Sequence, residues 1–360
     1  MRIQTFISTG LFLLAAATTT QAASYSDMFV FGDSLSDNGD AFIALTALNN
    51  PNFPATTPRP YTALVPSAPY AGHTFSNAGV WVNFLDISLL GKAVTPSFAG
   101  GTNFAFGGAR TGDLTGVLPD IIPSLQTQAN TYVGSLGANS APADALYVVW
   151  GGGNDVRSAA EVFASTFANT AGNLNAANTA AGAVIADGVG NIGEIIATLA
   201  NKGAKKFLVP NVPNVGLAPA SAALGLQTQQ LVSGLATGFD LGLAQLLPAL
   251  QASLSVDIIT VDIFTLISNT ITQNRTGLNV TDPCIFANNG QGCTNPDQFL
   301  FWDGLHPTSQ RQREIASVFQ AAVVPVPAAF PLLLSALVVI RARRRATSQL
   351  PRLRAIPRLN

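Results

Sequence analysis

Apolar positions along this chain fall into two alternating textures. Short unbroken runs of β-branched and aromatic residues end in glycine, proline or asparagine. Long Ala- and Leu-rich stretches with interspersed polar residues separate them. The runs are Met28 to Phe31, Asn103 to Phe106, Ala145 to Trp150, Lys206 to Pro210 and Asp257 to Val261. They read as buried strands of a parallel sheet, because a strand covered on both faces loses the apolar–polar alternation of a half-solvated one. The longer stretches, Leu118 to Leu136, Ala159 to Asn201, Leu224 to Leu250 and Thr308 to Ala322, have helical character. The Ala/Thr/Gly/Asn-rich part, 164–190, reads as helix with breaks. Strand and helix signals in alternation predict right-handed βαβ crossovers and an α/β fold, a three-layer α/β/α sandwich around a five-stranded parallel sheet. In such a sheet the ligand lies at the C-terminal ends of the strands. Asn49 to Gly72, rich in Pro, Thr and Ala, has no period and is expected to be a long loop near that site. No internal repeat is visible, and one domain is the economical reading.

The two ends of the chain have a different texture. Residues 1–23 combine Arg2, an apolar run centred on Leu11 to Ala17, and small residues around Ala22 and Ala23. This is the layout of a signal peptide, and its apolar core is too short to span a bilayer. At the other end, Val324-Pro325-Val326-Pro327-Ala328 precedes an apolar segment, Leu332 to Ile340, and an arginine cluster, Arg341 to Arg345. An apolar stretch followed by a positive cluster suits a membrane-held end with its arginines on the cytoplasmic side. Residues 324–345 resemble the bacterial PEP-CTERM and VPLPA-CTERM sorting signals. That likeness implies transient membrane association and a sorting or processing protease acting at the C-terminus. The tail 346–360 extends past where such signals normally stop. The expected location is outside the cytoplasm, secreted or at the cell surface or extracellular matrix of a bacterium.

Charge sharpens the reading of the body. The composition is 48% hydrophobic and only 10% charged, against roughly 25% charged in an ordinary soluble protein. All 19 acidic residues lie between Asp27 and Glu314, whereas residues 24–323 hold 10 of the 18 basic ones, a net of −9. So acidic a body argues against nucleic acid as a partner. Cys284 and Cys293 are the only two cysteines and sit in an irregular Gly-, Asn- and Pro-rich stretch. In an exported chain that pairing favours a disulfide over a redox or metal site.

The chemistry concentrates at three places. Ser34 follows the first strand in Val30-Phe31-Gly32-Asp33-Ser34-Leu35, where its hydroxyl would point into the crevice. A serine becomes a nucleophile when a base takes its proton and a third group orients the base. His306 is the candidate base, and Asp303 is the candidate orienter because three residues in a turn bring the two side chains together. Two further apolar runs end in glycines, Asn103 to Ala109 and Val149 to Asp155. Glycines let a backbone amide or short side chain come close to a reacting carbonyl oxygen. Candidate oxyanion donors are the Ser34 amide, the amide of Gly108 or of Gly107, and Asn154. Asp33, Asp37 and Asp155 are expected to bond turn amides. Arg110 and Arg157 are expected to pair with carboxylates, the alternative being substrate contact. His73 reads as a surface or substrate-side residue. Metal binding would need a His or Cys cluster that the sequence lacks.

Four ordered blocks, Phe31 to Gly39, Asn103 to Arg110, Gly152 to Asp155 and Asp303 to His306, resemble those of the GDSL lipases and esterases, the SGNH hydrolases. The likeness extends to Phe75-Ser76-Asn77 with Val80-Trp81-Val82 and to Val209 to Pro213. It implies a hydrolase domain over 24–323, a flavodoxin-like fold and ester hydrolysis without a metal or cofactor. By the same resemblance Ser34 is the nucleophile, Asp303 and His306 complete the triad, and Gly108 and Asn154 join the Ser34 amide in the oxyanion hole. The substrate would be a lipid, a small acyl ester or an acetylated glycan, cleaved through an acyl-enzyme. A deacetylase of extracellular polysaccharide is the rival enzyme, and a non-catalytic surface or matrix binding protein the rival of another class.

Overall fold

A computed structural model describes residues 25–48, 66, 68–113, 122–274, 277–290 and 292–324. The expected signal segment, nearly all of the expected sorting signal, the tail and much of the Asn49 to Gly72 loop lie outside the described residues.

Along the chain the elements are β1 (Met28–Gly32), α1 (Asp40–Leu48), α2 (Val82–Leu90), α3 (Leu125–Ser135), β2 (Leu146–Trp150), α4 (Gly153–Asn169) and α5 (Leu174–Lys202). They continue with β3 (Lys206–Pro210), α6 (Pro219–Ala222), α7 (Leu226–Leu254), β4 (Asp257–Val261), α8 (Ile263–Gln273), α9 (Ala287–Gly290) and α10 (Ser309–Val323). The strands pair in parallel in the order β1-β2-β3-β4.

The described sheet therefore has four strands, not the five expected. The run Asn103 to Phe106 lies along the free edge of β1, but as an extended segment with an isolated parallel bridge between Val30 and Asn103. It makes three backbone bonds there, Val30 N–H to Thr102 (3.1 Å), Phe104 N–H to Val30 (2.8 Å) and Phe106 N–H to Gly32 (3.1 Å). The ladder is interrupted at Gly32, whose N–H goes to Gln128 Oε1 at 2.9 Å instead of to the Phe104 carbonyl. The Asn103 side chain takes the Ala105 N–H at 3.0 Å and donates to the Ser36 carbonyl at 2.8 Å. Counting this segment as an edge, chain order across the sheet is 2-1-3-4-5. The chain thus steps outward from β1 in both directions, and a sheet of that order has its ligand crevice at the C-terminal end of β1.

Side chains alternate across the sheet, and helices cover both faces. On one face Phe29, Phe31, Tyr147, Val149, Phe207 and Val209 join a buried core with residues of α3, α4, α5 and α7. On the other, Trp150 meets Phe319 of α10 at 5.3 Å, and Trp81, at the start of α2, meets Phe319 at 4.9 Å. The predicted Ala159 to Asn201 helix is two helices. The break falls at Ala171 and Gly172, which have positive φ, and Asn173 caps α5 through the Ala176 N–H. The run Asp257 to Val261 is a strand, but a partly exposed edge one.

Candidate active site

β1 delivers Ser34 to the crevice through a tight turn. Gly32 is obligatory at the strand exit, since a Cβ there would lie 2.8 Å from the Trp150 carbonyl oxygen. Gln128 of α3 clamps the same residue from the side, accepting the Gly32 N–H and donating to the Gly32 carbonyl, both at 2.9 Å. Beyond it the chain winds one turn, with Ser36 and Asp37 N–H both reaching the Asp33 carbonyl at 3.0 Å. The Asp33 carboxylate takes the Leu35 N–H at 3.0 Å. Burial pushes the Asp33 carboxyl up to about 6, against the pull of the Leu35 amide and of His306.

Asp37 anchors the next segment. Its carboxylate accepts N–H groups from Gly39, Asp40 and Ala41 at the start of α1, and from Gly107 across the crevice, at 2.8 to 3.1 Å. Asp155 likewise accepts the Thr111 N–H and hydroxyl. All three aspartates thus bond turn amides as expected.

The other end of the domain brings the histidine. Phe301 and Pro307 form an antiparallel bridge around a turn, closed by Trp302 N–H to the His306 carbonyl at 2.7 Å. Residues just before α2 tie this turn to α10. Ser76 Oγ donates to the Pro307 carbonyl at 2.9 Å, and Asn77 Oδ1 takes the Ser309 N–H at 2.8 Å at the first residue of the helix. Cys284 and Cys293 form a disulfide, and the buried Cys284 packs with Trp302.

Within this frame the three side chains meet. His306 Nε2 lies 2.7 Å from Ser34 Oγ, and His306 Nδ1 lies 2.6 Å from Asp303 Oδ2. Burial disfavours the Asp303 charge. The charge and hydrogen bond of His306, the Tyr70 hydroxyl and the His306 amide outweigh it and hold the carboxyl at about 2.

The candidate oxyanion donors differ in how far they are already engaged. The Gly107 N–H is taken by Asp37, whereas the N–H groups of Gly108 and Ser34 have no acceptor among the described residues. Gly108 has φ +84°, a left-handed turn conformation that suits glycine. Asn154 stands on the first turn of α4. One of its amide hydrogens goes to the Ala109 carbonyl at 2.9 Å, leaving the second for a ligand.

Gly107 has a steric duty of its own. A Cβ there would come 2.1 Å from the Phe75 ring, and that ring lies 5.4 Å from the His306 imidazole. Gly107→Ala is therefore expected to push Phe75 onto His306, costing about 1–3 kcal/mol of stability together with catalytic rate. Thermal melts and kcat measure both. Phe75→Leu in the same chain should restore part of each, by making room.

A cleft opens beside Ser34 and His306. Its wall includes Leu35, Pro213, Val215, Ala218, Ile263, Ile267, Phe301 and Leu305. Arg157, one turn beyond Asn154, also lines the cleft, exposed and without a carboxylate partner among the described residues, contrary to the pairing expected for it. Arg110 donates to Ser158 Oγ and its charge favours the ionised form of Asp155, although the two form no ion pair. His73 is exposed and stacks on Phe42 at 3.7 Å. Sequence reasoning missed Tyr70, Gln128 and the apolar wall from α8. These carry no local motif, and only the fold brings them to the site.

The described residues contain no cluster of His, Cys, Asp and Glu able to hold a metal ion. Lipase 1 of Photorhabdus luminescens is 28% identical over 215 residues, 58% of this chain, which spans about a quarter (26%) of that relative's length. Among solved structures, phospholipase A1 from Streptomyces albidoflavus NA297 aligns over 83% of this chain and 99% of its own, at 13% identity and a TM-score of 0.39. The extracellular lipase of Streptomyces rimosus aligns over 82% and 99%, at 16% identity and a TM-score of 0.40. The model of the GDSL-like lipase/acylhydrolase family matches residues 28–319, from the first strand through the last helix, and the chain belongs to that family.

Proposed function

We propose that this chain is an exported serine ester hydrolase that works through an acyl-enzyme on a flavodoxin-like SGNH scaffold. The observation that carries this reading is the unbroken relay from Asp303 through His306 to Ser34 Oγ, with bonds of 2.6 and 2.7 Å. His306 Nε2 takes the Ser34 proton as Oγ attacks the ester carbonyl carbon. The oxygen that becomes negative is held by the N–H groups of Ser34 and Gly108 and by the free amide hydrogen of Asn154. When the C–O bond breaks, His306 returns the proton to the leaving alcohol. Water then attacks the acyl-Ser34 carbonyl, His306 taking its proton, and Ser34 is released with a carboxylic acid.

Family membership supports the ester as substrate, and the disulfide supports an oxidising compartment. On this reading residues 1–23 direct export, and 324–345 hold the C-terminus at the membrane until a processing protease acts.

The apolar wall favours acyl chains longer than acetyl, because each methylene buried there contributes up to about 0.8 kcal/mol. With p-nitrophenyl esters, kcat/KM is expected to rise at least about tenfold from acetate to hexanoate. Acetate as the best substrate, with acetate release from an acetylated polymer, would instead establish a polysaccharide deacetylase. Failure of a fluorophosphonate to label Ser34 would leave the non-catalytic binding protein.

A further inference from the structure

Asp303 is 8% exposed, and its carboxylate accepts four hydrogen bonds. Oδ1 takes the backbone N–H groups of Leu305 and His306, each at 2.7 Å, both from its own turn. Oδ2 takes His306 Nδ1–H at 2.6 Å and a second donor from far away in the chain, the Tyr70 hydroxyl, also at 2.6 Å. The Tyr70 ring packs edge-on against Phe75 at 6.3 Å and Trp302 at 6.4 Å. A phenylalanine would fill that space equally well. What tyrosine adds is a donor aimed at the oxygen that His306 uses.

A hydrogen bond to a carboxylate oxygen withdraws charge from it, and bonds to a charged acceptor are about twice as strong as neutral ones. Two donors on Oδ2 therefore compete for one oxygen. We propose that Tyr70 is a positioning residue for the triad: its hydroxyl locks Asp303 Oδ2 toward the imidazole and moderates the pull of that carboxylate on the His306 proton. This rests on the triad reading above. Other charged groups bear on His306 too. Asp33 stands on the turn after β1, and on α4 Arg157 lines the same cleft while Asp155 acts on Asp33. None of them bonds Asp303 within the described residues, so a change confined to Tyr70 isolates its effect.

The test uses two graded changes at one atom. Tyr70→Phe removes the donor and keeps the ring. Site-specific fluorotyrosine at position 70 keeps the ring and strengthens the donor. In Tyr70→Phe the acid limb of kcat/KM is expected to move to higher pH by about half a unit, and the His306 Nδ1 proton resonance to move downfield. Fluorotyrosine should move both the opposite way. With only two histidines in the chain, the resonance is assignable by comparison with a His73 variant. A shared drop in melting temperature, with pH profile and resonance unmoved in both variants, overturns the proposal and leaves Tyr70 a packing residue. The resonance is read without turnover, so absence of ester hydrolysis in the parent chain would count against the hydrolase reading and not against this one.

Discussion

A Ser34→Ala variant is expected to lose about 10⁵-fold in kcat on a p-nitrophenyl ester, with its melting temperature unchanged. Oγ forms one hydrogen bond, to His306 Nε2, while Asp303 keeps its hold on Nδ1 in the variant. No buried group is left without a partner that water in the open cleft cannot supply, so stability stays within about 0.5 kcal/mol. What remains is a cleft with the Ser34, Gly108 and Asn154 donors still in place, and their residual catalysis sets the floor. Steady-state kinetics and a thermal melt check the two halves. A variant that keeps more than a tenth of the parent rate removes Ser34 from the chemistry.

Asp303→Asn is expected to cost about 10⁴-fold in kcat. The amide retains the size of the carboxylate but presents an NH₂ where His306 Nδ1–H needs an acceptor. The imidazole then turns to the tautomer that carries its proton on Nε2, the nitrogen that must accept from Ser34. The same substitution changes acid stability, with a definite sign. The Asp303 carboxyl is held at about 2, below its usual 3.8, so the folded state favours the ionised form. Its stabilisation is complete above about pH 4 and is lost as pH falls through the folded value. At 1.36 kcal/mol per unit this amounts to about 2 kcal/mol. Denaturant midpoints measured between pH 4 and pH 2 should fall less steeply in Asp303→Asn than in the parent. Parallel curves would mean that the carboxylate gains nothing from its partners.

The parts of this molecule legible in its sequence are those whose signal is local. The runs at β1, β2 and β3 are unbroken because both faces are buried, and Asp303 and His306 lie close enough in sequence for one turn to join them. Glycines at 107, 108 and 152 announced close approaches, and the structure shows what approaches, Phe75 at Gly107 and Phe239 at Gly152. The choice between Gly107 and Gly108 was not legible. It depends on Asp37, whose carboxylate reaches Gly107 from the turn after β1. The Asn103 run misled for a related reason: its composition is that of a strand, but the Gly32 N–H that would continue its ladder goes to Gln128 of α3, far away in sequence. Of the short helices, α2 escaped because its two turns carry almost no helical period, whereas α8 has a clear apolar face and escaped because it directly continues the strand signal of β4. Tyr70, 233 residues from Asp303, has no sequence signal beyond being a tyrosine in an irregular segment.

The span between Ser34 and His306, 272 residues, also bears on when the proposed triad can form. A polypeptide made N-terminus first exposes Ser34 early, yet His306 arrives only after four strands and most helices, and α10 must then dock against β4 and α2. Until that last closure Ser34 lacks the histidine that the proposed mechanism uses. Non-local closure of this kind is slow relative to local folding, so on the proposed reading the site is assembled only once the two ends of the domain have folded together.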